Sequence, residues 1–250
     1  MGRSQRRSSG HVLKCLDLSG RVAVVIGGTS GLGRAIALGL AEQGANVVAA
    51  GRRADPVTDV RDRQSIDSLR DKTLKELGRV DILVNAAGFT FKQPTEAVSE
   101  EQWSSIFDTN LTGALRACQS FYEPLKASGR GRVINIASLG SYVAFHEVAA
   151  YCATKTALLS LTRSLACEWA RDGIMVNAIA PGIFPTEMTR EIVLGTPRGK
   201  ELLMRTPMGR FGRPEELVGA AVLLASDGAS FLTGQCIAVD GGFLASGVNS

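Results

Sequence analysis

Residues 22–33 read VAVVIGGTSGLG. The apolar run Val22–Ile26 is rich in β-branched residues, which is typical of a strand buried on both faces of a parallel sheet. Residues 32–43 then follow the pattern of a helix that ends at Gly44. A strand, a glycine turn and a helix in this order present backbone N–H groups and the positive end of a helix to a phosphate. The stretch therefore predicts a dinucleotide-binding unit, with its glycines spaced as GxxxGxG rather than as the common GxGxxG.

The remainder of the chain repeats this alternation of strands and helices. Further strands are predicted over residues 46–50, 80–84, 133–137, 174–180 and 237–239, and helices over 66–77, 100–125, 151–169 and 214–224. Strands that alternate with helices predict an α/β fold with a Rossmann-like doubly wound parallel sheet in three layers. We expect a single domain over residues 15–250, preceded by a disordered basic tail over residues 1–14.

One connection does not fit this scheme. Only residues 51–58 separate the end of the second predicted strand from Asp59, whereas a parallel crossover usually needs about a dozen residues or more. Either the sheet lacks an edge strand and its helix at this point, or a segment is missing from the chain.

The composition is ordinary for a globular protein, with 45% hydrophobic and 21% charged residues. The net charge of +4 is too small to indicate a nucleic-acid partner. The apolar runs are too short for a transmembrane helix, so we expect no membrane partner. Five cysteines without a CxxC pair fit reduced thiols in a cytoplasmic protein, and no cluster of His, Cys and Asp residues predicts a metal site.

A second segment carries residues suited to moving a proton. Tyr151 and Lys155 are four residues apart on a predicted helix and therefore share a face, and Ser138 lies thirteen residues before Tyr151. A nearby ammonium favours the phenolate, so we expect Lys155 to lower the pKa of Tyr151 from its ordinary value of about 10. Each residue alone also fits a structural role, such as a tyrosine at the edge of the core or a solvated lysine.

Arg52 and Arg53 follow the second predicted strand, at the position that decides the cofactor preference of a dinucleotide site. An acidic residue there would hydrogen-bond the ribose 2′-hydroxyl of NAD. Two guanidinium groups instead suit a 2′-phosphate, because arginine makes forked, charge-assisted contacts with phosphate. We therefore expect NADP(H) to be favoured over NAD(H); the alternative is a solvated turn.

Together these features resemble the short-chain dehydrogenase/reductase family over residues 16–242, which is nearly the whole chain. The glycine turn, the Tyr-xxx-Lys pair, Ser138, and Asn110 within Asp-Thr-Asn-Leu carry the resemblance. It implies an oxidoreductase in which Tyr151 is the general acid or base and Lys155 lowers its pKa and holds the nicotinamide ribose. Ser138 would position the substrate oxygen, and Asn110 would hold, through its main chain, a water that connects Lys155 to solvent.

The resemblance also implies which residues line the cofactor. They comprise the glycine turn, the residues after the second strand and those that follow later strands: Gly27, Thr29, Ser30, Gly31, Leu32, Gly33, Arg52, Arg53, Asp59, Val60, Asn85, Ala86, Gly88, Tyr151, Lys155, Pro181, Gly182 and Thr186. Asp59 and Val60 would meet the adenine, and Thr186 would hold the carboxamide side of the nicotinamide. Ile26 and Ala86 stand where the family usually has Thr and Asn, which we expect to weaken local turn hydrogen bonds more than the chemistry.

The substrate is expected to bind under residues 184–207, whose mixture of apolar and charged residues predicts a helical lid. Ser138 and Tyr151 would contact it, and His146 either contacts it too or belongs to a surface loop. Segments 17–21, 205–212 and 216–222 resemble the gluconate 5-dehydrogenase and deoxygluconate dehydrogenase branch, which favours a sugar acid or polyol as the small-molecule substrate.

Two alternatives remain at this stage. The 3-oxoacyl-carrier-protein reductases share much of the same pattern, and a non-catalytic dinucleotide-sensing protein is the alternative from another class. The resemblance also implies a homotetramer, formed through the helices around residues 111–122 and 158–169.

Overall fold

A parallel sheet with helices on both faces organises the chain. The structure, a computed structural model, describes residues 14–54, 57–187 and 189–247. The strands are Val22–Ile26 (β1), Asn46–Ala50 (β2), Ile82–Asn85 (β3), Arg132–Ile136 (β4), Met175–Pro181 (β5) and Cys236–Val239 (β6). They lie in the order β2-β1-β3-β4-β5-β6, and every neighbouring pair is parallel. The predicted α/β, Rossmann-like doubly wound sheet is confirmed.

Residues 1–13, which make up nearly all of the predicted tail, lie outside the described residues. So do Asp55 and Pro56 in the short connection, Met188 in the predicted lid, and residues 248–250.

The helices form the two outer layers. They are Gly31–Glu42 (α1), Arg63–Leu77 (α2), Glu100–Phe107 (α3), Gly113–Ala127 (α4), Ala149–Trp169 (α5), Arg190–Val193 (α6), Pro197–Met204 (α7) and Val218–Ala225 (α8). Side chains of α1 and α8 form one apolar cluster against the sheet, and those of α2, α4 and α5 form another on the opposite face. Because both faces are covered, β1, β3 and β4 are buried along their whole length, which explains the continuous apolar sequence of β1.

The strand order reverses at β1. The chain passes from β1 through α1 to β2 on one side, and then through α2 on the opposite face to β3 on the other side. In sheets of this kind the loops at such a switch point diverge and open a crevice at the carboxyl ends of the strands. This crevice is where a ligand site is expected.

The connection at residues 51–58 leaves β2 at the edge of the sheet. Within the described ranges no strand lies beyond β2, and a single parallel bridge joins Gly51 to Val57. The amides of Ala54 and Thr58 both donate to the carbonyl of Gly51 at 3.1 Å, so the connection folds back onto the end of β2. The crossover to β3 is supplied by α2. In the described residues the sheet lacks a further edge strand and helix at this point.

Two predicted helices are interrupted. The stretch predicted over residues 100–125 consists of α3, one π-helical turn at Asp108–Thr112, and α4. The helix predicted from Pro214 begins as a 3₁₀ turn, Pro214–Leu217, in which the side chain of Glu216 accepts from the amide of Arg213. The predicted lid contains the two short helices α6 and α7.

Candidate active site

A cavity of about 1070 Å³ opens at the carboxyl ends of the strands. Its walls include Gly27 after β1, Gly88 after β3, Ser138 after β4 and Gly182 after β5. Parts of the segment over residues 184–207 line its other side. The cavity therefore occupies the switch-point crevice that the topology creates.

The glycine turn allows a very close approach of backbone to backbone. Gly27 has φ +87°, and a Cβ there would lie 2.5 Å from the amide nitrogen of Ala87. A Cβ on Gly33 would overlap the carbonyl oxygen of Gly27. The side chain of Ser30, the residue before α1, makes no cap hydrogen bond, and Gly31, Leu32 and Gly33 at the start of α1 line the cavity. This is the backbone arrangement that a pyrophosphate requires.

Tyr151, Ser138 and Lys155 lie together on the cavity wall. Ser138 hydrogen-bonds the phenol of Tyr151, and its hydroxyl also accepts from the amide of Gly140 at 3.1 Å. Lys155 is 5% exposed, and its Nζ lies 5.7 Å from the centroid of the Tyr151 ring. The ammonium donates to the carbonyl of Ile136, at the end of β4, at 2.7 Å. The structure therefore brings the three residues together as the sequence predicts.

The electrostatics of this group differ from the sequence prediction. Burial raises the pKa of Tyr151 above its usual value, against the opposing hydrogen bond from Ser138. Burial also lowers the pKa of Lys155 to about 8. The prediction that the pKa of Tyr151 lies below its ordinary value is wrong in this structure, because desolvation of the buried phenol is the largest influence on it.

Asn110 lies behind this group and does not line the cavity. Its Oδ1 accepts from the amide of Phe89 and its Nδ2 donates to the carbonyl of Phe89, both at 2.9 Å, and Nδ2 also reaches Thr154 Oγ1 at 3.2 Å. A Cβ on Gly88 would lie 3.1 Å from Asn110 Oδ1 and 3.5 Å from Lys155 Nζ. The side chain thus fixes the loop after β3 against α5. Asn110 stands in the π-helical turn, a feature that is frequent at functional sites.

Basic side chains lie at the opposite end of the cavity, after β2. Arg52 and Arg53 both line it, and Arg53 faces Glu187 of the lid segment at 3.6 Å. Asp59 also lines it; Arg61 pairs with its carboxylate at 2.6 Å and lowers the pKa of that carboxyl to about 2. This end of the cavity is therefore net positive.

The residues present fit a nicotinamide dinucleotide. The glycine turn provides the close backbone approach for a pyrophosphate, and the two arginines after β2 provide donors suited to a ribose phosphate. Of the residues predicted to line the cofactor, all except Asn85 border this one cavity.

Two predicted site residues are placed elsewhere. Asn85 is buried inside the sheet, where its Nδ2 donates to Asn135 Oδ1 of β4 at 2.9 Å. His146 has a side chain that is 86% exposed and does not border the cavity; its carbonyl accepts from Arg198 at 3.0 Å. The structure therefore supports the surface-loop alternative for His146.

Several cavity residues were missed from the sequence. Besides Arg61, which precedes α2, they come from the loop after β3, the segment before α5 and the lid: Phe89, Thr90, Phe91, Lys92, Phe145, Val148 and Arg198. None of them belongs to a predicted motif, although Arg61 and Phe89 lie within two residues of the predicted Asp59 and Gly88. Thr90 Oγ1 is buried and has no hydrogen-bond partner among the described residues.

Known proteins share this arrangement of sequence and fold. A family model described as enoyl-(acyl carrier protein) reductase matches residues 27–244. Gluconate 5-dehydrogenase of Gluconobacter oxydans is 37% identical over 248 residues, 92% of this chain and 97% of that protein. The 3-oxoacyl-[acyl-carrier-protein] reductase of Escherichia coli is 35% identical over 91% of this chain and 98% of its own length.

A solved structure gives the same result in three dimensions. A gluconate 5-dehydrogenase from Burkholderia cenocepacia, in complex with NADP and tartrate, superposes with a TM-score of 0.91. It is 35% identical, and the match covers 95% of this chain and all of that one.

The fold and the site define an oxidoreductase that acts on alcohol and ketone groups. The chain belongs to the short-chain dehydrogenase/reductase family. In the described part of the chain, no helix combines the length and apolar character needed to cross a bilayer.

Proposed function

We propose that this protein is an NADP(H)-dependent oxidoreductase that interconverts a secondary alcohol and a ketone on a sugar acid or polyol. One observation carries the proposal. A single cavity has Arg52 and Arg53 at one end and the group of Ser138, Tyr151 and Lys155 at the other. A bound dinucleotide that places its adenosine phosphate at the first end directs its nicotinamide toward the second.

The cofactor supplies or accepts the hydride, and the residues of the chain handle the proton. In the direction of reduction, Tyr151 gives its proton to the carbonyl oxygen of the substrate, and in oxidation it takes the proton back. The raised pKa of Tyr151 keeps the phenol protonated at neutral pH, which suits a general acid. Ser138, already hydrogen-bonded to Tyr151, holds the same substrate oxygen.

Lys155 supports this step through its charge. The ammonium is buried and is held by the carbonyl of Ile136, so its position close to Tyr151 is fixed. As Tyr151 loses its proton, the nearby positive charge stabilises the phenolate that forms. Asn110 acts behind Lys155 by holding the Phe89 loop, and its main chain holds the water that leads from Lys155 to solvent.

The lid segment separates the reaction from water. Phe184, Val193 and Leu202 of this segment line the cavity and are less than a tenth exposed. Closing such a segment over a substrate excludes solvent from the proton transfer.

The proposed substrate class rests on the similarity of this chain to known proteins and on the charge of the side chains that line the cavity. Proteins named gluconate 5-dehydrogenase match this chain over nearly its whole length. The cavity is lined by more basic than acidic side chains, which suits an acidic substrate. These two facts favour a sugar acid.

A screen of substrates against both cofactors tests the proposal. Sugar acids, polyols and 3-oxoacyl thioesters are each assayed with NADP(H) and NAD(H) by the change in nicotinamide absorbance. The proposal expects turnover of a sugar acid or polyol, with the higher kcat/KM for NADP(H). Turnover confined to oxoacyl thioesters would instead assign the carrier-protein reductase function, which the likeness to the Escherichia coli enzyme supports.

We further propose that the protein is a cytoplasmic homotetramer assembled through α4 and α5. Tyr122 of α4 and Trp169 of α5 pack side by side with ring centroids 5.0 Å apart, which joins the two helices into one surface. Light scattering of the purified protein tests the oligomeric state, and a monomeric mass would contradict the proposed tetramer.

A further inference from the structure

Charge along the cavity walls is mostly balanced by local partners. Six basic and two acidic side chains line it: Arg52, Arg53, Arg61, Lys92, Lys155, Arg198, Asp59 and Glu187. Arg61 pairs with Asp59, and Arg53 faces Glu187. Lys92 is neutralised by Glu147 at 2.8 Å. Arg52 lies at the adenosine end, and Lys155 belongs to the reaction centre. Arg198 is therefore the one basic side chain in this set of described residues that has neither an acidic partner nor an assigned role.

Arg198 lies close to the reaction centre. Its Nη1 donates to the carbonyl of His146, five residues before Tyr151. Burial raises the pKa of Cys152, the neighbour of Tyr151, and the charge of Arg198 opposes that rise. No carboxylate of the described residues lies within ion-pair distance of Arg198. A guanidinium carries five N–H donors, so a single hydrogen bond leaves most of them available to a ligand.

The backbone around Arg198 is held in place by its neighbours. Thr196 caps α7 by accepting from the amide of Gly199 at 3.0 Å. A Cβ on Gly199 would overlap the carbonyl oxygen of Val193, so the first turn of α7 packs tightly against the end of α6. Arg198 therefore borders the cavity from a fixed turn of the lid, and its hydrogen bond to His146 ties that turn to the segment before α5.

We infer that Arg198 binds the carboxylate of the substrate and thereby selects sugar acids over neutral polyols. The inference rests on the proposed function and narrows its substrate class. A planar guanidinium binds a carboxylate through two parallel N–H···O contacts, which fixes both the position and the orientation of the bound acid. When the carboxylate is bound to Arg198 on the lid, the reacting carbon further along the carbon chain of the substrate lies next to Ser138 and Tyr151. Substrate binding then also holds the lid against the rest of the cavity.

Kinetics with a matched pair of substrates test this inference. D-gluconate and D-glucitol have the same carbon chain and differ in the carboxylate, and both are assayed with wild type, Arg198→Gln, Arg198→Lys and the control Lys200→Met. Lys200 is an exposed lysine on the same helix that does not border the cavity. In Arg198→Gln we expect the ratio of kcat/KM for the acid to that for the alditol to fall about 10- to 100-fold, mostly through KM, because a charge-assisted contact is lost. Arg198→Lys should recover part of the loss, and Lys200→Met should show none.

Direct binding separates this inference from the proposed function. Calorimetric titration of D-gluconate into each variant saturated with NADPH, with which gluconate cannot react, reports on Arg198 whether or not the acid turns over. Weaker binding by Arg198→Gln than by Lys200→Met supports the inference, even if turnover is absent and the proposed function is therefore wrong. Equal gluconate affinity in these two variants, or a wild type that prefers the alditol, would overturn it. A loss of NADP⁺ affinity in Arg198→Gln with unchanged gluconate binding would assign Arg198 to the cofactor and would overturn it as well.

Discussion

The ammonium of Lys155 donates to the main-chain carbonyl of Ile136 at 2.7 Å while lying 5.7 Å from the centre of the Tyr151 ring. The carbonyl comes from the last residue of β4, and the lysine comes from the second turn of α5. The strand end thus sets the distance between the charge and the phenol. This geometry makes the protonation of Lys155 visible in the pH dependence of the reaction.

Ketone reduction should weaken as the pH rises through about 8. Burial lowers the pKa of Lys155 to about 8, so the ammonium is present below that pH and is lost above it. Loss of the charge removes the stabilisation of the Tyr151 phenolate. We expect kcat/KM for reduction to show a descending limb near pH 8 in the wild type, and Lys155→Met to be slow with no such limb. A limb that persists unchanged in Lys155→Met would show that another group titrates.

Cofactor preference should depend on Arg52. Arg52→Gln is expected to raise the dissociation constant of NADPH by about 10-fold or more, because a charge-assisted contact with the 2′-phosphate is lost, and to leave that of NADH almost unchanged. Fluorescence titration of both cofactors measures this, with Arg171→Gln, an exposed arginine that does not border the cavity, as the control. Tighter binding of NADH than of NADPH by the wild type would refute the assignment.

Glu187 should compete with the cofactor for Arg53. The two side chains are 3.6 Å apart and are 71% and 82% exposed, so their mutual attraction is weak. Glu187→Gln frees Arg53 and removes a negative charge near the 2′-phosphate, and we expect NADPH to bind up to about fivefold more tightly. The gain should shrink at high salt, because exposed charges are screened. NADPH binding that weakens in Glu187→Gln would argue against this role.

Two Gly→Ala substitutions should have opposite effects on stability. At Gly27, φ is +87° and a Cβ would lie 2.5 Å from the amide nitrogen of Ala87, so Gly27→Ala should lower the melting temperature and abolish dinucleotide binding. Gly219 lies in the first turn of α8 with open space around it, so Gly219→Ala should stabilise the fold by about 0.4–1 kcal/mol. Thermal unfolding of the two variants measures both effects. A Gly27→Ala protein as stable as the wild type would contradict the close packing of the glycine turn.

Much of the fold follows from local patterns in the sequence. The strand predicted at Val22–Ile26 has the observed bounds because its apolar run is bounded sharply by Arg21 and the glycine turn. The helix predicted over residues 100–125 contains a π-helical turn at Asp108–Thr112, in which the side chain of Asn110 bonds to the distant backbone of Phe89. Such a contact depends on tertiary structure and leaves no trace in helical periodicity.

Some features of the site likewise follow from the sequence, and others depend on the tertiary structure. Helical spacing predicts that Tyr151 and Lys155 are neighbours, the family resemblance adds Ser138, and the fold places all three on one cavity wall. The sign of the pKa shift of Tyr151 was predicted wrongly, because spacing on a helix reports which groups are close and not how deeply they are buried. Arg198 and Lys92 were missed, since their place in the cavity depends on how the lid and the loop after β3 fold against α5.

The most direct test of the proposed function compares Tyr151→Phe with Tyr142→Phe. Both changes remove one phenolic oxygen, but Tyr142 does not border the cavity. The rate of NADP⁺ reduction with the best sugar acid or polyol is measured alongside NADP⁺ affinity. The proposed mechanism predicts that Tyr151→Phe loses about 10²- to 10⁴-fold in kcat while still binding NADP⁺, and that Tyr142→Phe keeps its rate. A Tyr151→Phe protein with undiminished turnover would contradict the role of Tyr151 as the proton donor and acceptor.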